Sequence, residues 1–158
     1  MTSVAIIFAA SSGRMLAILE NKNLPRPRKD GKGMCKGKAN PWDFPGGKRE
    51  LGDADERAVM LRELREETGL DADGLQSVRE GRFYVPDAKC TVFLFEVTQE
   101  FDVQPGQGVK ETAWVDREHV NTLGTYRMQR ALVVSSGFVT CPEVAGEDDP
   151  FAVFETAK

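Results

Sequence analysis

Histidine is almost absent from this 158-residue chain: His119 is the only one. It sits beside a turn, as surface histidines do, and we give it no catalytic role, which removes Ser–His and Cys–His nucleophilic relays from contention. Cysteine is scarce too. Cys35, Cys90 and Cys141 are odd in number and widely spaced, which argues for free thiols rather than a disulfide framework or a zinc site. No apolar run approaches the roughly 20 residues of a membrane span, and the N-terminus lacks the basic region and long apolar core of a signal peptide. A cytoplasmic address without membrane partners is the default expectation. Positive charge is not in surplus. With 21 Lys and Arg against 25 Asp and Glu, the net charge of −4 speaks against a general nucleic-acid-binding surface while leaving room for a local basic patch. Internal repeats and linkers are missing, so residues 1–158 are expected to form one domain, long enough to bury a core without staples. The rest of the composition, 41% hydrophobic and 29% charged, is that of an ordinary soluble globular protein.

Chemistry is concentrated between Pro45 and Leu70. Pro45-Gly46-Gly47-Lys48 is a turn that lets backbone approach a ligand closely, and it feeds a helical pattern. Asp53 or Asp55 serves as N-cap, Ala58, Leu61 and Leu64 recur at helical spacing, and Gly69 is the stop. On that helix Glu63, Glu66 and Glu67 stand at i, i+3 and i+4, so three carboxylates crowd one face. A solvated helix would pair them with Arg62 and Arg65. The preceding glycines favour the other reading, a hard divalent cation among the oxygens, with Mg²⁺ first and Mn²⁺ as an alternative.

The run resembles the Nudix box, whose pattern is Gly, five residues, Glu, seven residues, Arg-Glu, an aliphatic residue, any residue, Glu-Glu, any residue, Gly and an aliphatic. Gly47 fits the first position and Arg62 to Leu70 fit the last nine; Trp42-Asp43-Phe44-Pro45-Gly46 resembles the family's approach to the box. Two positions depart from it. Asp53 stands where the family has Glu, and the gap from there to Arg62 is one residue longer, to be absorbed by a loop around residues 53–55 or by a bulge in the helix. The resemblance implies a Nudix α/β/α sandwich around a mixed sheet, and hydrolysis of a phosphoanhydride in a nucleoside diphosphate linked to another group. It further implies Glu63, Glu66, Glu67 and the Gly47 carbonyl as metal ligands, with Arg62, braced by the early carboxylate, orienting the glutamates. Glu67 or Glu111 would act as general base, Glu100 being the second choice from that later region. The alternative is a Nudix-fold module that senses a nucleotide without turning it over.

The remaining chain is read as supporting structure. Ser3 to Ala10 and Met15 to Leu19 form a hairpin. Residues 21–40 carry seven cations against Asp30, with prolines and glycines, and cannot form a core of their own. They are either a flexible, solvated insertion or an electropositive arm beside the glycine loop; in the second case Arg28, Lys36 and Lys38, together with Lys48, would hold the phosphates of a small-molecule nucleotide substrate. Leu75 to Val85 and Cys90 to Thr98 are expected to form a second hairpin with Phe83, Tyr84, Phe93 and Phe95 in the core. Val109 to Val115 is a strand, Arg117 to Leu123 a helical turn, and Tyr126 to Ser136 a covering helix. From Phe138 the periodicity fades into an acidic tail, either poorly ordered or docked through Phe151 and Phe154.

Overall fold

The computed structural model describes residues 1–138. Strand β1 (Thr2–Ala9) is apolar at nearly every position, the pattern of a strand covered on both faces, and Val4 to Ala9 are all buried. Gly13, at φ 73°, closes the turn into β2 (Arg14–Glu20). The chain then runs out into a two-stranded ribbon, β3 (Arg26–Pro27) and β4 (Met34–Cys35), and returns through β5 (Trp42–Asp43) and β6 (Gly46–Lys48). Strands β1 and β2 pair only beside their turn, Phe8 opposite Met15 and Ala9 opposite Arg14. Beyond that they part, and residues 42–48 fill the gap: β5 pairs with β2, β6 pairs with β1, and the Pro45 carbonyl accepts from the Ala5 amide at 2.8 Å. Phe44, fully buried, forms the middle of this wedge.

After the wedge come α1 (Glu56–Thr68), β7 (Arg79–Val85), β8 (Cys90–Val97), β9 (Val109–Val115), α2 (Arg117–Leu123) and α3 (Tyr126–Val134). The seven-stranded sheet is mixed, because β8 lies parallel to β1 over eight positions while the other neighbours are antiparallel. Strand alternation divides the core between its two faces. Val4, Ile6 and Phe8 with Val92 and Leu94 meet Met128, Ala131 and Leu132 of α3, while Ala5, Ile7, Leu16, Phe93 and Phe95 meet Met60 and Leu64 of α1. The result is the expected α/β sandwich. Among the described residues no helix is long and apolar enough to cross a membrane.

Several expectations change in detail. The strand expected from Leu75 starts at Arg79, because Asp71 accepts from the Asp73 amide and residues 72–75 close a 3₁₀ turn that ends at Gln76, φ 53°. Tyr84 is 60% exposed rather than core, since β7 is an edge strand and it is the alternate residues Arg79, Gly81, Phe83 and Val85 that face inward. His119 is packed rather than exposed: its ring meets Trp42 edge-on at 5.3 Å, and Nε2 has no hydrogen-bond partner among the described residues. The basic stretch is more than a featureless insertion. It is pinned by buried Asn23, which donates to the Pro41 carbonyl at 2.9 Å and accepts from the Lys38 amide at 2.8 Å through its own carbonyl. Among the described residues Cys35 and Cys90 are free; Cys141, Phe151, Phe154 and the acidic tail lie outside them.

Phe138, expected to begin the tail, belongs to the core. Its ring meets Phe83 edge-on at 6.2 Å, the Arg79 guanidinium lies 4.0 Å above it, and Gly81 leaves the room a side chain would otherwise fill. Phe138→Ala is therefore expected to lower unfolding free energy by about 3 kcal/mol, read from the urea midpoint; an unchanged midpoint would place the segment after α3 outside the core.

Candidate active site

Helix α1 is set by its ends. Asp55 accepts from the Ala58 amide at 2.9 Å as N-cap, and Gly69, φ 73°, returns its amide to the Arg65 carbonyl. The helix runs unbroken between them, so the residue extra to the Nudix spacing is taken up in the loop before Asp55. Asp53 nevertheless reaches its partner: Arg62 Nη2 donates to it at 2.9 Å and Nε lies 3.1 Å from both carboxylate oxygens. These bonds hold the Asp53 carboxyl below the usual carboxylate range and push the Arg62 guanidinium further up. The same guanidinium donates to Glu63 Oε1 at 2.9 Å, to Glu66 Oε1 at 3.2 Å and to the Lys48 carbonyl at 3.0 Å. Arg62 thus ties the glycine loop, the bracing aspartate and two glutamates to one planar group.

The carboxylates differ in setting. Glu66 is exposed; Glu63 is half-buried and Glu67 is 5% exposed. Burial pushes the Glu63 carboxyl up despite Arg62, and pushes Glu67 up further, with the Glu20 carboxylate facing it as the next cause. Glu67 Oε1 accepts from the Gly46 amide at 2.8 Å, and a Cβ on Gly47 would overlap Glu63 Oε1. The glycine loop and the carboxylates are therefore in contact, and only a residue without a side chain fits there. At the other end of α1 the Glu66 and Glu67 carbonyls accept from the Gln107 and Gly106 amides at 2.7 and 2.8 Å, which fastens the helix to the loop before β9.

Beside this centre opens a cavity of about 480 Å³ lined by Lys22, Arg26, Lys38, Lys48, Tyr126 and Glu20. Its floor is the buried pair of Asp43 and Arg127 at 2.9 Å; burial pushes the Asp43 carboxyl up, with Arg127 opposing. Of the expected phosphate-binding residues, Lys38 and Lys48 line this cavity, whereas Arg28 and Lys36 line a neighbouring one of about 600 Å³ in the β3–β4 ribbon. Arg26 borders both. Glu111 is exposed and lies opposite Leu19, which puts it on the sheet face away from α1. Glu100 is bound to Arg14 at 2.6 Å, at the start of β2, and Glu20 lies at that strand's far end, about 20 Å away.

Sequence reasoning missed Glu20, Asp43, Tyr126 and Arg127. The signal for Glu20 was strand alternation, since Leu16, Ile18 and Glu20 share a face. Arg127 had none, because the Asp43 that it meets is 84 residues away.

Among the described residues no group of three or more His, Cys, Asp or Glu is already arranged around one point as a metal would require, and Glu63 and Glu66 are turned to Arg62. The donor set nonetheless suits a hard divalent cation: the buried carboxyl groups of Glu20 and Glu67 face each other, and among the described residues Glu20 Oε2 is buried without a hydrogen-bond partner.

Fold and site together define an α/β sandwich in which a glycine loop is held against a carboxylate-bearing helix. A family model described as NUDIX domain matches residues 1–134, and the chain belongs to the Nudix family. Over 58 residues it is 40% identical to an 8-oxo-dGTP diphosphatase of Proteus vulgaris, a stretch making up 37% of this chain and 51% of the relative. The chain spans about half the length of the curated relatives it matches. In structure it resembles a C. elegans Ap4A hydrolase, with a TM-score of 0.60 at 17% identity over 88% of this chain and 98% of the other. It also resembles a bifunctional NMN adenylyltransferase/ADP ribose pyrophosphatase of Francisella tularensis complexed with AMP and Mn ion, with a TM-score of 0.61 at 18% identity over 88% and 41%. At these identities the likeness is one of fold.

The floor of the cavity can be tested directly. Asp43→Asn leaves the Arg127 guanidinium without its counter-charge and is expected to cost about 3 kcal/mol, whereas Asp43→Leu with Arg127→Met recovers most of that loss. Urea midpoints of the wild type and the two variants check this, and equal losses in the single and double variants would contradict it.

Proposed function

We propose that the protein is a divalent-metal-dependent pyrophosphohydrolase that cleaves a phosphoanhydride in a nucleoside diphosphate linked to another group. The observation that carries this reading is the gathering of Glu63, Glu66 and Glu67 on one face of α1, against Gly47 and Arg62 and beside a cation-lined cavity. Glu63, Glu66, Glu67 and the Gly47 carbonyl would hold the ion, Mg²⁺ first and Mn²⁺ as an alternative. When bound, the cation supplies neutralisation of the diphosphate and acidifies the attacking water. Arg62, fixed by Asp53, positions Glu63 and Glu66. Lys48 and Lys38 neutralise the phosphates that lie in the cavity. The Glu67 carboxylate takes the proton of the attacking water as the new P–O bond forms, and the leaving phosphate departs with the electron pair of the bond that breaks. Glu67 suits this task better than Glu111, which faces away. The sensor alternative drew its weight from Asp53 and the longer spacing, and the loop before Asp55 accommodates both while keeping the Asp53–Arg62 pair.

Phosphate release from 8-oxo-dGTP, nucleoside triphosphates, dinucleoside polyphosphates and ADP-ribose, with added phosphatase where monophosphates form, tests the activity. Turnover is expected with Mg²⁺, none with EDTA, and a loss of about 100-fold or more in Glu66→Gln. Tight nucleotide binding without turnover on any of these would favour the sensor.

The basic ribbon extends the substrate class. Because Arg26 joins the two cavities, a phosphate chain longer than a triphosphate would continue from Lys38 towards Arg28 and Lys36. Arg28→Ala with Lys36→Ala is expected to raise KM several-fold for dinucleoside penta- and hexaphosphates and not for nucleoside triphosphates, while Lys38→Ala raises both. A KM for the long substrates that ignores the ribbon variants would sink its role.

A further inference from the structure

Glu20 is an acidic residue at the end of an otherwise apolar, buried strand. On β2 the residues Leu16, Ile18 and Glu20 share the face turned to α1, and Leu16 packs in one cluster with Met60 and Leu64 of that helix. Glu67 follows Leu64 by three positions on the same helical stripe, and beyond Leu16 and Ile18 the side chains of Glu20 and Glu67 meet across the layer. The register shift between Leu19 and Glu20 does not alter this, because the unpaired residue, Lys110, belongs to β9.

Both carboxylates are 5% exposed. Glu67 has the Gly46 amide. Glu20 has little: among the described residues Oε2 finds no hydrogen-bond partner, and Lys22 Nζ lies 3.5 Å away on a side chain 64% exposed. A buried carboxylate that faces another, with Lys22 solvated and Arg127 bonded to Asp43, is costly unless a cation completes the site.

We infer that Glu20 is a further side-chain ligand of the divalent cation, supplied by β2 from across the layer to join the carboxylates of α1. Glu111, which the resemblance offered as a general base from the later region, faces away on β9 and does not reach this place. The inference rests on the reading of α1 as a cation-binding helix, and the experiment separates the two.

Mn²⁺ binding to the substrate-free protein is measured by electron paramagnetic resonance for the wild type, Glu20→Gln and Glu20→Asp, with melting temperatures in EDTA alongside. Glu20→Gln is expected to weaken Mn²⁺ binding about 10- to 100-fold, Glu20→Asp less, and the melting temperature of Glu20→Gln in EDTA to stay level or rise, because the amide keeps the shape of the side chain and removes a buried ionisable group. Undiminished Mn²⁺ affinity in Glu20→Gln, or a fall of its melting temperature in EDTA, would overturn the role of Glu20 alone. A wild type that binds no Mn²⁺ would overturn the cation-binding helix and this inference with it.

Discussion

The parting of β1 and β2 is the constraint on which the site depends. Two strands that leave their hairpin cannot stay open at no cost, because each exposes a row of amides and carbonyls. Here residues 42–48 satisfy both rows, β5 on one side and β6 on the other, with Phe44 sealing the middle. The glycines of β6 are delivered onto the carboxylates of α1 as a consequence of sheet pairing. Glu20, at the free end of β2, and Asp43, on β5, are brought to the same place by the same opening.

Arg62 does for the helix what the wedge does for the sheet. Its five donors are spread over Asp53, Glu63, Glu66 and a loop carbonyl, so a single guanidinium fixes the helix, the loop and the charge balance between them. A net charge of −4 hides this local arrangement: acidic groups collect on α1 and cations line the neighbouring cavity. Electrostatic complementarity to any ligand is a property of that division rather than of the total.

Local signals carried most of the fold. The apolar runs of β1 and β8, the caps of α1 and the helical period of α3 are each legible within about ten residues, and the box motif located Arg62 and the glutamates on one face. Contacts between distant segments were not legible. Tyr84 sits at an exposed edge because of strand order, Phe138 joins the core through Gly81 and Phe83, and Glu111 faces away because its partner is Leu19. Glu20 was readable in principle from alternation, but its meaning depends on which helix covers that face.

The loop before Asp55 also explains how the chain accommodates a length change that looks damaging on paper. One added residue inside an α-helix rotates everything after it by about 100°, enough to swing Glu63, Glu66 and Glu67 off the glycine loop together. Added before the cap, the same residue leaves the phase of the helix untouched, and the side chain that must still bridge the gap, Asp53, accepts from both the Glu50 amide and the Arg62 guanidinium. The N-cap thus marks a boundary between sequence that counts in angle and sequence that counts only in reach. Insertions on the far side of it are changes of tether length, to which the geometry of the carboxylates is indifferent.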